Sequence, residues 1–238
     1  MPDMLQHERH RAFFMSLSGV TRQSIGKLIM RINTAVLVSG GGTNLQALID
    51  YEQQKGDSCP YKIVCVISDH KDAFALERAA KAGIPTTVRS PYAVMGKEAA
   101  QAADRDTKRT AVSDAMLADC KNFGAQVIVE AGCLTVLAGK ILSEYSDKII
   151  NLHPALLPKY GGVGMWGHHV HEAVLANHEK ESGCTVHLVN EVCDGGQILL
   201  QKKVPVLPDD TPDSLYARIA PHEHEALLEG LLLLCSKF

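Results

Sequence analysis

"TAVLVSGGGTNLQALID", Thr34 to Asp50, decides the fold. "TAVLVS" is a continuous apolar run of the kind buried on both faces of a parallel sheet. Three glycines then make a tight turn, and Thr43 opens a helix. The same unit recurs downstream. "YKIVCVIS" (61–68) is a second strand, followed by the helix "DAFALERAAKAG", closed by Gly83. "IPTTVRS" (84–90) is a short third strand, and Asp104 to Phe123 reads as a long helix. "AQVIVEAG" (125–132) is a fourth strand, then a short helix runs to Tyr145, and "KIINLH" (148–153) is the fifth strand.

After Gly183 the rhythm changes. "GCTVHLVN" and "GQILLQKKVPV" are two strands around a short turn-rich segment, and a last helix covers roughly Asp213 to Cys235. Apolar strands alternating with helices predict an α/β, doubly wound, mostly parallel sheet. The late strand pair predicts an antiparallel finish at the C-terminal end. The first 32 residues follow no such pattern and read as an N-terminal extension, with a helix around Ile25–Ile32; residues 33–238 read as one domain, the one that would carry any chemistry.

Composition narrows the classes of function. Of 238 residues, 46% are hydrophobic and 21% charged, an ordinary globular balance, and the net charge of −3 gives no electrostatic reason to expect nucleic acid or an anionic membrane as partner. Seven cysteines, an odd number with no CxxC pair, argue against a disulfide framework or a zinc site and for a reducing cytoplasm. No apolar run is long enough to span a membrane, and the N-terminus lacks the apolar core of a secretory signal.

Two strand ends carry candidate chemistry. In "SGGGTN", Ser39 to Asn44, the glycines allow close backbone approach and the helix start offers free N–H groups to an anion such as phosphate. A ligand-free tight turn is the competing reading. A dinucleotide fingerprint would need a third glycine where Leu45 stands, although Asp69, ending the second strand, sits where a ribose-binding acid would. The Gly-Lys-Ser/Thr of a P-loop is absent.

At the fifth strand's end, alternation puts Asn151 and His153 on one side, and Pro154 keeps His153 extended. An amide beside an imidazole suits a reaction that builds negative charge on a carbonyl oxygen. Asp194, in "CDGG", is the carboxylate that would orient the imidazole and raise its pKa above about 6.5. Taken singly, each motif also reads as a plain turn or a hydrogen-bonded strand-end histidine.

In combination, "VLVSGGGTNLQALID", "INLHPALLPKYGG" and "DGGQILLQKKVPVLPDDTPDSLYARI" resemble the phosphoribosylglycinamide formyltransferase family, within the folate formyltransferase and deformylase group. The resemblance implies a formyltransferase-like Rossmann-type fold and transfer of a formyl group from 10-formyltetrahydrofolate to glycinamide ribonucleotide, without metal. It implies Asn151, His153 and Asp194 as the catalytic trio. The phosphate loop would be Gly41, Gly42, Thr43 and Asn44, with Glu223 near the nucleotide. Arg109 and the backbone of Leu134, Thr135, Val136 and Leu137 would meet folate.

"CLTVL" (133–137) departs from the family's aromatic–Met-Arg-Ile-Leu pattern, and Glu130 replaces an apolar strand residue, a buried carboxylate that needs a partner or an elevated pKa. In "GMWGHHVHEAVL", His168 and His171 lie one turn apart on a helix. Supporting ligands for a zinc ion are not evident, so no metal is expected there. The resemblance favours His171 and His187 as shaping the cleft, while Trp166 reads as a core residue. The partners implied are small molecules, on a cytoplasmic monomer or homodimer. A deformylase, a silent module binding a phosphorylated ligand, and an NAD-dependent oxidoreductase are the alternatives.

Overall fold

The structure, a computed structural model, describes residues 30–238. Most of the expected N-terminal extension, and most of the helix expected around Ile25–Ile32, lies outside the described residues. The end of that helix is corrected: Ile32 opens a strand, is buried, and pairs with Tyr61. Arg31 just before it is tied to the domain by hydrogen bonds to the Tyr61 carbonyl and the Glu52 carboxylate.

Seven strands form one sheet: β1 (Ile32–Val38), β2 (Tyr61–Ser68), β3 (Thr86–Val88), β4 (Val127–Glu130), β5 (Ile149–His153), β6 (Glu181–Leu188) and β7 (Ile198–Pro205), in the order β3-β2-β1-β4-β5-β6-β7. The pairs from β3 to β5 are parallel, and β6 and β7 complete the sheet by antiparallel pairing. The helices are α1 (Thr43–Lys55), α2 (Phe74–Lys81), α3 (Pro91–Met95), α4 (Lys97–Ala102), α5 (Arg105–Asn122), α6 (Lys140–Glu144), α7 (His168–Ala176) and α8 (Pro212–Cys235).

Alternating strand residues feed two cores, as a sheet covered on both faces requires. On one face Val36, Val38, Val129, Ile150 and Val186 pack with α1 and α8; on the other Leu37, Ile67, Ile128 and Ile149 pack with α5 and α6. β1 and β4 are neighbours although two strands and five α-helices separate them in the chain, so connections leave them in opposite directions. A crevice opens there, beyond the strands' C-terminal ends, the usual ligand position in such sheets.

Candidate active site

A cavity of about 700 Å³ occupies that crevice. Its floor begins at the glycine turn. Gly42 caps α1 with φ 72°, and a Cβ there would come within 2.6 Å of the Ala75 Cβ, so the position demands glycine for the packing of α2 as well as for the turn. Gly40 and Gly41 are different: a Cβ at either meets nothing within 4 Å, which leaves the backbone of the turn open to an occupant. Asn44, in the first turn of α1, donates to Glu223 of α8 at 3.3 Å, while its own Oδ1 is buried without a partner. Glu223 is nine-tenths buried, and burial raises its pKa despite the Asn44 bond.

At the other strand end, β5 delivers Asn151 and His153, and the β6–β7 connection delivers Asp194. Asp194 has φ 55°, unusual for a residue with a side chain, and Gly196 must be glycine because a Cβ there would collide with the Leu188 carbonyl. This turn therefore presses close to β6 and aims the carboxylate inward. Asp194 Oδ2 lies 3.5 Å from His153 Nδ1 and accepts from the Gly162 N–H at 2.8 Å; Oδ1 lies 3.4 Å from Asn151 Nδ2 and 3.5 Å from His187 Nε2. Burial opposes its charge, but the His187 contact, the His153 ring and the Gly162 N–H outweigh it and hold the carboxyl below its usual range.

The hydrogen bonds fix the tautomers. His153 Nε2 is 2.7 Å from the Tyr160 carbonyl, which only accepts, so Nε2 carries hydrogen and Nδ1 presents a lone pair in the neutral ring. His187 Nδ1 likewise faces the Leu188 carbonyl at 2.8 Å, leaving Nε2 to accept from Asn151 Nδ2 at 3.2 Å. The expected rise in the His153 pKa is overturned. The ring is 3% exposed, and desolvation lowers its pKa by more than Asp194 and the Tyr160 carbonyl raise it.

The segment after β4 forms the remaining wall. Leu134 N–H donates to Ser39 Oγ at 2.7 Å, and the Leu137 carbonyl accepts from Arg109 at 3.1 Å, so two of the backbone groups expected to meet folate are already paired. Thr135 Oγ1 donates to Asp69 Oδ2 at 2.7 Å. Val136 also lines the cavity, as does Arg105, whereas Arg109 is absent from the lining and supports the segment from behind. Glu130 lines the cavity too, 6% exposed; burial first, then the charges of Asp194 and Asp69, push its carboxyl up to about 8.

His171 and His187 are both buried in the cavity wall. Burial, followed by the charges of His168 and His153, lowers His171 to about 4, and its Nδ1 has no partner. Its ring packs against Tyr216 of α8, whose centroid lies 5.8 Å away. Trp166 is not a core residue: it is half exposed at the cavity mouth, edge-on to His169. Among the described residues no group of three or more His, Cys, Asp or Glu is placed to hold a metal ion. Sequence reasoning missed Tyr160 and Tyr216; the first acts through its carbonyl, which leaves no trace in a side-chain pattern.

Asn151, His153 and Asp194 thus line one cavity together with the open start of α1 and an apolar wall. The formyl transferase family matches residues 32–231, and the chain belongs to that family. Phosphoribosylglycinamide formyltransferase of Escherichia coli (strain K12) is 37% identical over 193 residues, 81% of this chain and 82% of the relative. The trifunctional purine biosynthetic protein adenosine-3 of Drosophila melanogaster is 40% identical over 205 residues, but this chain spans only 14% of its length. Among solved structures, glycinamide ribonucleotide transformylase 1 from Symbiobacterium toebii superposes with a TM-score of 0.75 at 34% identity, over 87% of this chain and 89% of that one. Phosphoribosylglycinamide formyltransferase from Brucella melitensis gives 0.72 at 36%, over 86% and 96%. The Escherichia coli, Symbiobacterium toebii and Brucella melitensis proteins are named for formyl transfer to glycinamide ribonucleotide, and the Drosophila protein for purine biosynthesis.

Proposed function

We propose that this chain transfers the formyl group of 10-formyltetrahydrofolate to the glycinamide amine of N1-(5-phosphoribosyl)glycinamide. The observation that carries the reading is the convergence of Asn151, His153 and Asp194 on one cavity whose floor is the open glycine turn. The phosphate of the nucleotide sits at the α1 N-terminus, where the backbone of Gly41 and Gly42 and the side chains of Thr43 and Asn44 surround it. Glu223 reaches the ribose side through Asn44.

In the reaction the amine nitrogen attacks the formyl carbon, forming the new C–N bond while the carbonyl π pair moves to oxygen. The Asn151 N–H that makes only the long contact to Asp194 turns to that oxygen. The amine proton passes to His153 Nδ1, directly or through a water held by Asp194. Lowered basicity keeps this nitrogen free to receive it. The resulting imidazolium lies beside Asp194 and faces the oxyanion. As the C–N bond to folate breaks and the carbonyl re-forms, the same proton leaves with the folate nitrogen. Asp194 thus stabilises the cation when it is needed, rather than maintaining it beforehand.

The experiment is turnover of 10-formyltetrahydrofolate with and without glycinamide ribonucleotide. Folate product only with the nucleotide supports the transferase; equal release of formate without it makes the chain a deformylase, and no consumption in either case removes the reading.

A further inference from the structure

Glu130 is the one carboxylate in the cavity wall that the chemistry above leaves unused. It ends β4, in register with Leu37 of β1 and Asn151 of β5, while Asn151 is in register with His187 of β6. Register partners on adjacent strands share a face, so Leu37, Glu130, Asn151 and His187 form a row across the sheet. Leu37 belongs to the core packed on α5 and α6. The row therefore opens to the α5–α6 side of the crevice, whereas Glu223 and the start of α1 belong to the opposite side. Glu130 is 6% exposed, lines the cavity, and makes neither a hydrogen bond nor an ion pair among the described residues. Its carboxyl oxygens are not among the fully enclosed unpaired atoms, so they reach the cavity, where an occupant rather than the protein can pair with them.

We propose that Glu130 is a specificity-determining residue for the formyl donor: from the α5–α6 side its carboxyl group hydrogen-bonds an N–H/C=O edge of the donor's pterin ring. The inference rests on the folate reading of the preceding section. It concerns a position where this chain carries an acid in place of an apolar residue.

The groups around Glu130 favour its protonated form. Asp69 faces it from the end of β2, Asp194 from the β6–β7 connection and Cys133 from the segment after β4; the rings of His153 and His187 lie beyond Asp194. On α5, Arg109 is engaged by the Leu137 carbonyl and Arg105 stands in the cavity wall without pairing to Glu130. With its pKa pushed up to about 8 by burial and by the two aspartates, the group carries its proton at neutral pH. A protonated carboxyl offers an O–H donor and a carbonyl acceptor side by side. That pair matches an amide-like edge, in which a ring N–H neighbours a C=O, and an ionised carboxylate does not. The apolar wall of Leu134, Val136 and Leu137 continues directly from Glu130 in the chain and supplies the surface against which a flat ring lies.

The test is calorimetric titration of tetrahydrofolate under argon into the parent, Glu130→Gln and Glu130→Leu proteins between pH 6.5 and 9.5. Parent affinity should fall about tenfold between pH 7 and pH 9, as ionisation removes the donor. Glu130→Gln, whose amide offers N–H and C=O in the same places, should bind within about threefold of the parent at pH 7 and show no such fall. Glu130→Leu should bind about tenfold more weakly at pH 7, the loss of two hydrogen bonds. A parent affinity independent of pH, a Glu130→Gln profile that falls as the parent does, or a Glu130→Leu protein that binds as tightly as the parent overturns the assignment. If the parent binds glycinamide ribonucleotide but no tetrahydrofolate at any pH, the folate reading fails together with it; pH-independent binding of tetrahydrofolate sinks the Glu130 role alone.

Discussion

The cleft has two ends that treat their polar groups in opposite ways. At the end of β5, Asp194 is met by His153, Asn151, His187 and the Gly162 N–H, and each imidazole is fixed by a backbone carbonyl. At the end of β4, Glu130 has no partner and one oxygen of Asp69 is buried without one. The first arrangement is held in place by the protein's own hydrogen bonds before any ligand arrives, so little reorganisation is left beyond the turn of one Asn151 N–H. The second is incomplete, and is paid for in stability until a ligand completes it. The two strand ends therefore differ in whether the protein itself satisfies their polar groups.

The sharpest way to break this distinction is to empty the satisfied end. His153→Ala removes the proton carrier and should lower kcat by about two to three orders of magnitude, with glycinamide ribonucleotide still binding at the glycine turn. Asp194→Asn should lower kcat by a similar factor. It should also lower the His153 pKa further in an NMR titration, because the carboxylate is the largest influence raising it. An unchanged His153 pKa in Asp194→Asn would separate the two side chains and return Asp194 to the role of a turn residue.

Next in size is the acid stability of the cleft wall. His171 is buried neutral, with a folded pKa of about 4 against an ordinary 6.5. The unfolded chain therefore takes up a proton below pH 6.5 that the folded chain refuses until about pH 4, so stability falls as pH falls through that window. The loss is roughly 3 kcal/mol at 1.36 kcal/mol per pH step. His171→Leu should therefore gain stability relative to the parent by about that amount as pH falls from 6.5 to 4 in denaturant titrations. Glu130 acts with the opposite sign: raised from 4.5 to about 8, it costs stability progressively as pH rises through that range. Glu130→Leu should accordingly be more stable than the parent at pH 8 and gain less at pH 5. Because the two slopes oppose each other in the parent between pH 4.5 and 6.5, the test is each variant's difference from the parent: a difference that does not change with pH would mean that the replaced side chain reaches water.

Much of this architecture was legible in the chain. The central strands β1, β2, β4 and β5 follow from apolar runs, because a sheet buried on both faces leaves little freedom of composition, whereas β3 and β7 at the edges are more polar and exposed. The helices α3 and α4 were not anticipated. They are short, mostly exposed and without an apolar face, and their signals are local only: Ser90 capping a helix that opens on Pro91, and the helix-favouring composition of 97–102. The meeting of Asn151, His153 and Asp194 was legible in spacing and resemblance, since strand alternation alone puts Asn151 and His153 on one side. The direction of the His153 shift was not visible. A neighbouring aspartate can be guessed from sequence, but the depth of burial that outweighs it is a property of packing. The Tyr160 carbonyl was invisible for the same reason, and Trp166 at the mouth shows that the presumption of a buried tryptophan fails where a ring edges a cavity.

The smallest expected effects divide the glycine turn itself into a packing half and a binding half. Gly42 has φ 72° and a would-be Cβ against Ala75, so Gly42→Ala must strain the backbone and displace α2. A left-handed backbone alone costs a non-glycine residue about 1–2 kcal/mol, and the contact adds to it; Tm should drop, and weaker nucleotide binding would follow from the disturbed turn without revealing where the phosphate lies. Gly41 is the informative position. No positive φ restricts it, a Cβ there meets nothing within 4 Å, and it lines the cavity. Gly41→Ala should therefore fold with a Tm equal to or slightly above the parent's, because alanine reduces the freedom of the unfolded chain by about 0.4–1 kcal/mol. Glycinamide ribonucleotide should nevertheless bind several-fold more weakly, since a methyl group now stands where the phosphate approaches the backbone. Calorimetry and thermal melts on the two variants decide it. Weakened binding at an undiminished Tm in Gly41→Ala places the phosphate on the turn; unchanged binding in that variant moves it off the turn, and a Tm loss equal to that of Gly42→Ala would show that the whole turn serves packing.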